Sequence, residues 1–368
     1  MSSFINRNRL FSVAIIIFSF LFITTIVSAA TIISTNITTG GVLTVSGTAT
    51  SSFAGAIGIG TTTPNNLLQV AGLVNFDNAL FSTSLGYQAG NVNAGNYNTF
   101  NGYQAGLSNT TGTYNTANGT EALYSNTTGY NNTANGRQAL YNNTTGVHNT
   151  ANGEQALYNN TTGYLNTANG RQALYSNTTG YYNTANGVYS LKNNTTGLRN
   201  TANGMQALYF NTEGSYNTTN GLSSLLNNTT GSYNTANGNT ALYGNTTGNS
   251  NIGIGYEAGR YQANGTSALQ TASSSIYIGS FSKGFSNSDI NSIVIGDMAT
   301  GLGANTVVLG NDSITRTKLK GNVFVSSTAF LGSATTTMIE PWANNTSPLG
   351  SYGKAFSDLF ASGTIYTA

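Results

Sequence analysis

Asn132-Thr133-Ala134-Asn135-Gly136-Arg137-Gln138-Ala139-Leu140-Tyr141-Asn142-Asn143-Thr144-Thr145-Gly146-Val147-His148 is one intact copy of a unit that recurs with a seventeen-residue step. Glycines mark the step at Gly102, Gly119, Gly136, Gly153, Gly170, Gly187, Gly204, Gly221, Gly238 and Gly255, and a second glycine series runs in the same step from Gly112 to Gly248. Self-similarity at a fixed period is the signature of a stacked-repeat architecture. The unit is too short for two helices and a turn, and its glycine, Asn and Thr content is a poor helix composition. It suits one coil of a parallel β-solenoid. Two short strands are predicted, N-T-A-N and A-L-Y-x-N-T-T, each ended by a glycine that can take positive φ at a corner. Coils about 4.8 Å apart satisfy one another's backbone groups, so ten of them make a rod on the order of 50 Å long.

Variation between copies sorts the faces. The pairs after the first glycine drift (Thr120-Glu121, Arg137-Gln138, Glu154-Gln155, Val188-Tyr189), as do those after the second (Tyr130-Asn131, Val147-His148, Leu198-Arg199), and both read as outward corners. The Ala-Leu pair returns at Ala122-Leu123, Ala139-Leu140, Ala156-Leu157, Ala173-Leu174, Ala207-Leu208 and Ala241-Leu242, as a narrow core demands. The residue before the first glycine is Asn118, Asn135, Asn152, Asn169, Asn186, Asn203, Asn220 and Asn237 in mid-array, Leu85 at the start, and Ile254, Ile278, Ile295 and Leu309 at the end. Two residues earlier, Thr gives way to Ile252, Ile276, Ile293 and Val307. Alternation in a strand puts these two columns on one side, and their apolar replacements predict that this side faces a core or a subunit interface. The Asn column is then a structural amide ladder bonded from coil to coil. The competing reading is that Asn occupies a turn, where it tolerates the left-handed region.

The rest of the chain bounds the function. Only 6% of the 368 residues are charged, Pro numbers 3, Tyr 22 and Cys none. Arg7 and Arg9, the apolar stretch Leu10 to Val27 and the small residues Ser28, Ala29 and Ala30 read as an export signal over residues 1–29, with an uncleaved membrane anchor as the rival. Removal of Arg7 and Arg9 leaves ten Lys plus Arg against ten Asp plus Glu, and no basic stripe for nucleic acid. Without cysteines, an exported chain draws its stability from repetition rather than disulfides. Residues 30–80 are predicted as an N-terminal β fibre segment, 81–310 as the repeat solenoid and 311–368 as a C-terminal β fibre segment.

Chemistry is sparse. The single histidine, His148, lies in a drifting corner, and Glu121, Glu154, Glu213 and Glu257 fall in different coils. Glu121 and Glu154 are two coils apart, about 10 Å along the stack, which fits a glycosidase pair poorly. The unit has no Asp for a calcium-binding glycine repeat, and Gly253-Ile-Gly-Tyr-Glu-Ala-Gly259 is explained by the repeat rather than by a dinucleotide loop. The N-T-T tripeptides match the glycosylation acceptor pattern as by-products of the ladder. No catalytic residue, metal or cofactor is expected. Arg316, Lys318 and Lys320 alternate as a charged sheet edge. Tyr130, Tyr164, Tyr181, Tyr182, Tyr216 and Tyr233 lie at or beside corners, either as a surface for sugars or proteins or as a covering stripe over neighbouring coils.

The segment Asn291-Ser-Ile-Val-Ile-Gly296-Asp-Met-Ala-Thr-Gly-Leu-Gly-Ala-Asn305-Thr-Val-Val-Leu-Gly310, with its fourteen-residue step, resembles the head repeat of YadA-like trimeric autotransporter adhesins. The array from Phe81 to Gly255, as in Asn98-Thr-Phe-Asn-Gly-Tyr-Gln-Ala-Gly106, is similar to its longer Asn/Thr-rich relatives, which also occur in phage tail-fibre-like proteins. Gly58–Gly72 and Tyr352–Ile365 resemble short β segments that flank such fibres. The resemblance implies an all-β, left-handed parallel β-roll and a homotrimer. No heptad stalk and no β-barrel anchor is read, which leaves the mode of attachment open. The resulting expectation is a non-enzymatic, secreted or cell-surface adhesin-like fibre whose partner is a host-cell, matrix or glycan ligand. The alternatives are an ice-binding solenoid using the Thr pair of N-T-T, or a tail-fibre-like receptor-binding segment.

Overall fold

The computed structural model describes residues 80–317 and, before them, the backbone of three short strands, β1 (Ile57–Ile59), β2 (Leu68–Val70) and β3 (Val74–Asp77). The expected leader, most of the two flanking segments, Lys318 and Lys320 lie outside the described residues. The chain divides into two compact units, Met1–Asn311 and Asp312–Ala368. In the second, residues 312–317 are exposed and outside any strand.

The first unit is all-β, with no helix among the described residues. From β4 (Ser82–Leu85) to β17 (Val307–Leu309), fourteen strands stack in one parallel sheet and build a β-solenoid. Register follows the repeat: Thr133, Ala134 and Asn135 pair with Thr150, Ala151 and Asn152, and those in turn with Thr167, Ala168 and Asn169. The step lengthens to 24 residues between Ile252 and Ile276, where a small excursion pairs Tyr261 with Ala268, and shortens to 14 between Ile293 and Val307.

Each full coil holds one strand, not the two expected. The segment A-L-Y-x-N-T-T is a chain of turns. Leu140 and Leu157 take φ of 53° and 52°, and the residue two before each Leu, Gln138 or Gln155, takes 57° or 55°. A strand cannot pass through the left-handed region, so the extended run is broken at every Leu. That conformation costs about 1–2 kcal/mol for a residue bearing a Cβ. Full burial of the Leu contributes about 1.5–3 kcal/mol and offsets the cost. Coil-to-coil hydrogen bonding survives: Leu140 N–H donates to Ala156 O at 3.0 Å and Asn142 N–H to Tyr158 O at 2.9 Å.

The two glycine columns also have different causes. Gly153 has φ of 139°, and a Cβ there would sit 2.6 Å from Gly170 O. Gly146, in the second column, is absent from the positive-φ residues. Its requirement is space, since a Cβ would lie 2.4 Å from Asn143 Oδ1 and 2.5 Å from Gly163 O. The corner explanation therefore holds for the first column only.

The core is one residue wide on the strand side. The strand centres Ala117, Ala134, Ala151, Ala168, Ala185 and Ala202 are fully buried against the Ala-Leu pairs. Volume is conserved where the repeat departs: Phe100 replaces the strand Ala where Gly106 replaces a Leu, and a Cβ on Gly106 would meet the Phe100 ring at 2.4 Å. Near the other end Gly259 replaces a Leu in the coil of Gly253, and a Cβ there would meet Leu242 of the preceding coil at 2.7 Å and Tyr277 of the following one at 2.8 Å.

Candidate functional surface

Because the strand centre points inward, the Thr and Asn flanking it point outward. Asn118, Asn135, Asn152, Asn169, Asn186 and Asn203 are half-buried, and Asn220 and Asn237 are exposed. They face away from the chain's own core, which corrects one half of the expected core-or-interface reading. The ladder itself is present. Asn118 Nδ2 donates to Asn135 Oδ1 at 2.8 Å, and the same bond continues through Asn152, Asn169, Asn186 and Asn203 to Asn220. At the far end of the array this outward face turns apolar, with Ile254 39%, Ile295 37%, Val307 62% and Leu309 50% exposed.

Two further Asn columns, which the sequence reading did not single out, are buried. The Asn of N-T-T forms one: Asn160 Nδ2 donates to Asn143 Oδ1 at 2.8 Å and to Gly163 O at 3.0 Å, while Asn177 Nδ2 donates to Asn160 Oδ1. The leading Asn of N-T-A-N forms the other: Asn166 N–H donates to Asn149 Oδ1 at 3.0 Å, and Asn166 Nδ2 to Gly180 O at 2.8 Å. All of these side chains are withdrawn from solvent. Their constancy through the middle of the array was the available signal; at its ends the leading Asn gives way to another small polar residue, at Ser82, Ser275 and Ser292, where the outer ladder gives way to Leu or Ile. Burial of Asn143 and Asn160 also closes those N-T-T sites to a glycosyl donor in the folded chain.

The corners are more ordered than free drift implies. Gln138 Nε2 donates to Glu121 at 2.8 Å, Gln155 to Gln138 at 2.9 Å and Gln172 to Gln155 at 2.7 Å, a short amide ladder capped by one carboxylate. Beside it, Tyr124, Tyr141, Tyr158 and Tyr175 stack with centroids 4.8–5.0 Å apart. Burial, with Glu121 and the neighbouring phenols adding negative charge, holds the Tyr141 and Tyr158 hydroxyls above the usual phenol range. This column was missed because its Tyr belongs to the predicted second strand.

Of the Tyr residues proposed for recognition, Tyr130, Tyr182, Tyr216 and Tyr233 are exposed, while Tyr164 and Tyr181 are half-buried. Tyr164 stacks on Tyr181 at 4.7 Å, Tyr216 on Tyr233 at 4.9 Å, and Tyr182 meets Tyr164 and Tyr181 edge-on. Stacking covers one face of each ring in these pairs and leaves edges and outer faces for contact. His148 sits edge-on to Tyr130 at 5.3 Å.

The acids are not brought together. Glu154 pairs with Arg137 and Glu257 with Arg260, while Glu121 caps the Gln ladder. Among the described residues no cluster of His, Asp and Glu is arranged to hold a metal ion. Arg316 is exposed. No protein-family model, curated protein or solved structure matches this chain.

Proposed function

We propose that the chain is a non-enzymatic, secreted or cell-surface fibrous protein of adhesin type, in which the solenoid is a scaffold that presents its outer corners to other molecules. The observation that carries this reading is the division of labour within each coil. Buried Asn, Ala and Leu recur almost unchanged, whereas the exposed corners change from coil to coil. Conserved interior with variable exterior is how a repeat scaffold separates stability from recognition. The outward sheet face supports assembly of the chain into a homotrimer, since Ile254, Ile295, Val307 and Leu309 are apolar and exposed there, and contiguous exposed apolar surface marks contact sites. The ligand is a host-cell, matrix or glycan surface, with Tyr130, Tyr182, Tyr216 and Tyr233 as contact residues. The test is light-scattering mass of the exported chain together with its adhesion to cells and matrix-coated wells. A trimer that adheres supports the reading; a monomer that adheres to neither surface ends it.

A second reading, ice binding, has one specific observation in its favour. The second Thr of N-T-T is exposed in successive coils at Thr128, Thr145, Thr162, Thr179 and Thr196. The first Thr is less available, because Thr144 Oγ1 donates to Thr161 O at 3.1 Å and Thr161 Oγ1 to Thr178 O at 3.1 Å. Absence of thermal hysteresis in the purified protein removes this reading.

A further inference from the structure

In most coils the column after the first glycine is polar or charged, as at Thr120, Arg137, Glu154, Arg171 and Asn239. Three consecutive coils depart from this. Val188, Met205 and Leu222 occupy the column and are 38%, 48% and 39% exposed. They are joined from rung to rung, since Gln206 N–H donates to Val188 O at 3.0 Å and Ser223 N–H to Met205 O at 2.9 Å. The result is a continuous apolar strip, about 10 Å long at the spacing of stacked strands.

The adjoining columns depart in the same place. Tyr189 stands where Gln138, Gln155 and Gln172 stand in earlier coils, and Lys192 stands where Tyr141, Tyr158 and Tyr175 stand. The two exchanges are coupled. Lys192 Nζ lies 4.9 Å from the Tyr189 ring centroid and 5.5 Å from that of Tyr209, and the Arg171 guanidinium lies over Tyr189 at 5.0 Å. Neither cation is in an ion pair among the described residues. Between Glu154 and Glu213 the sequence carries Arg171, Lys192 and Arg199 and no acid. An exposed aliphatic strip beside two cations, neither in an ion pair and both held on tyrosine rings, shares with protein-contact patches their aromatic residues, Met and Arg. A sugar platform needs open ring faces and hydrogen-bonding groups, whereas here the cations cover the rings and the strip is aliphatic.

We propose that Val188, Met205 and Leu222, with Arg171 and Lys192, form a docking site for a protein segment that carries apolar side chains flanked by carboxylates. The apolar side chains lie on the strip and the carboxylates meet the two cations. This rests on the reading that the solenoid presents its corners to partners, and it names the chemistry of one such partner.

The test is selection from a displayed library of random peptides on the full exported chain, followed by binding of the selected peptides to V188T/M205T/L222T and to K192Y. K192Y installs the residue that its column already carries, so it leaves the stack intact even where the triple variant is poorly folded. The expected result is peptides rich in Leu, Ile or Phe beside Asp or Glu, whose affinity falls about tenfold or more in either folded variant, as loss of a contact centre does, and falls with added salt. Selection of no such peptides, or equal binding to K192Y and the parent chain, overturns the proposal. So does binding of polygalacturonate that depends on Lys192 in the absence of any selected peptide, because the site then takes an acidic glycan. Adhesion to cells without peptide selection overturns this site and leaves the adhesive reading standing. Peptide selection without adhesion supports the site and counts against that reading.

Discussion

At the residue scale, the three Asn columns are chemically alike and energetically different. Asn160 is fully buried and connects three groups, Asn143 Oδ1, Gly163 O and Asn177 Nδ2. Truncation to Ala leaves Asn143 Oδ1 without a partner where water cannot reach it, at about 1–3 kcal/mol, and takes one bond each from Gly163 O and Asn177 Nδ2, which keep Asn149 Nδ2 and Gly180 O. Asn152 makes a ladder bond of the same length to Asn169 but is half-buried, so water replaces what its truncation removes, and the net value of such a bond is about 1 kcal/mol. Asn160→Ala is therefore expected to lower the unfolding free energy by about 3 kcal/mol and Asn152→Ala by about 1 kcal/mol or less. Chemical denaturation of the two variants checks the order, and equal losses refute the assignment of buried and outer ladders. The sequence reading placed structural weight on the outer column because its end-of-array replacements are apolar. Those replacements reflect an outward face, while the interior leading column stays polar to the ends of the array, with buried Ser82, Ser275 and Ser292 in place of Asn.

At the scale of the element, the unit of structure is a column running along the stack. The stacked phenols Tyr124, Tyr141, Tyr158 and Tyr175 illustrate what that implies for pH. Tyr141 and Tyr158 are raised above the ordinary phenol value, first by burial and then by Glu121 and their neighbours. A raised acid favours its protonated form in the folded chain. The stabilisation is thus complete below the free phenol value of about 10 and is lost as pH rises through the folded values above it. Melting temperature is expected to hold steady from neutral pH to about pH 10 and to fall beyond it. Replacing Tyr141 and Tyr158 by Phe should flatten that fall, as followed by circular dichroism against phenolate absorbance. The sequence made the alternation of the three-residue strand legible, but not the absence of a second strand. Leu140, Gln138 and Tyr182 have no bias toward the left-handed region, yet each takes it. What holds them there is the coil closing on itself over a buried Leu.

At the scale of the whole solenoid, stability is a sum over coils and their interfaces. Residues 150–166 comprise one full step, from Thr150 to the residue before Thr167, the partner of Thr150 in the next coil. Deleting them joins Asn149 to Thr167 and makes Thr167 the partner of Thr133, with every column still in phase. The shortened chain is expected to keep its sheet spectrum and show a modestly lower melting temperature. Deleting 150–157 instead, about half a step, puts each column out of phase and is expected to abolish cooperative melting. Equal tolerance of both deletions in thermal circular dichroism contradicts the stacked-coil fold.

The period, the parallel stacking in register, the Ala-Leu core and the existence of a ladder were all present in the sequence. Each is a property of one copy compared with the next, and a repeat prints that comparison directly. Which Asn is inside, why the second glycine is needed and which tyrosine rings the cations lie over were decided only in three dimensions. They depend on the direction each Cβ takes after several left-handed turns per coil, and those turns are imposed by closure of the coil around its core rather than by the local preference of the residues that make them.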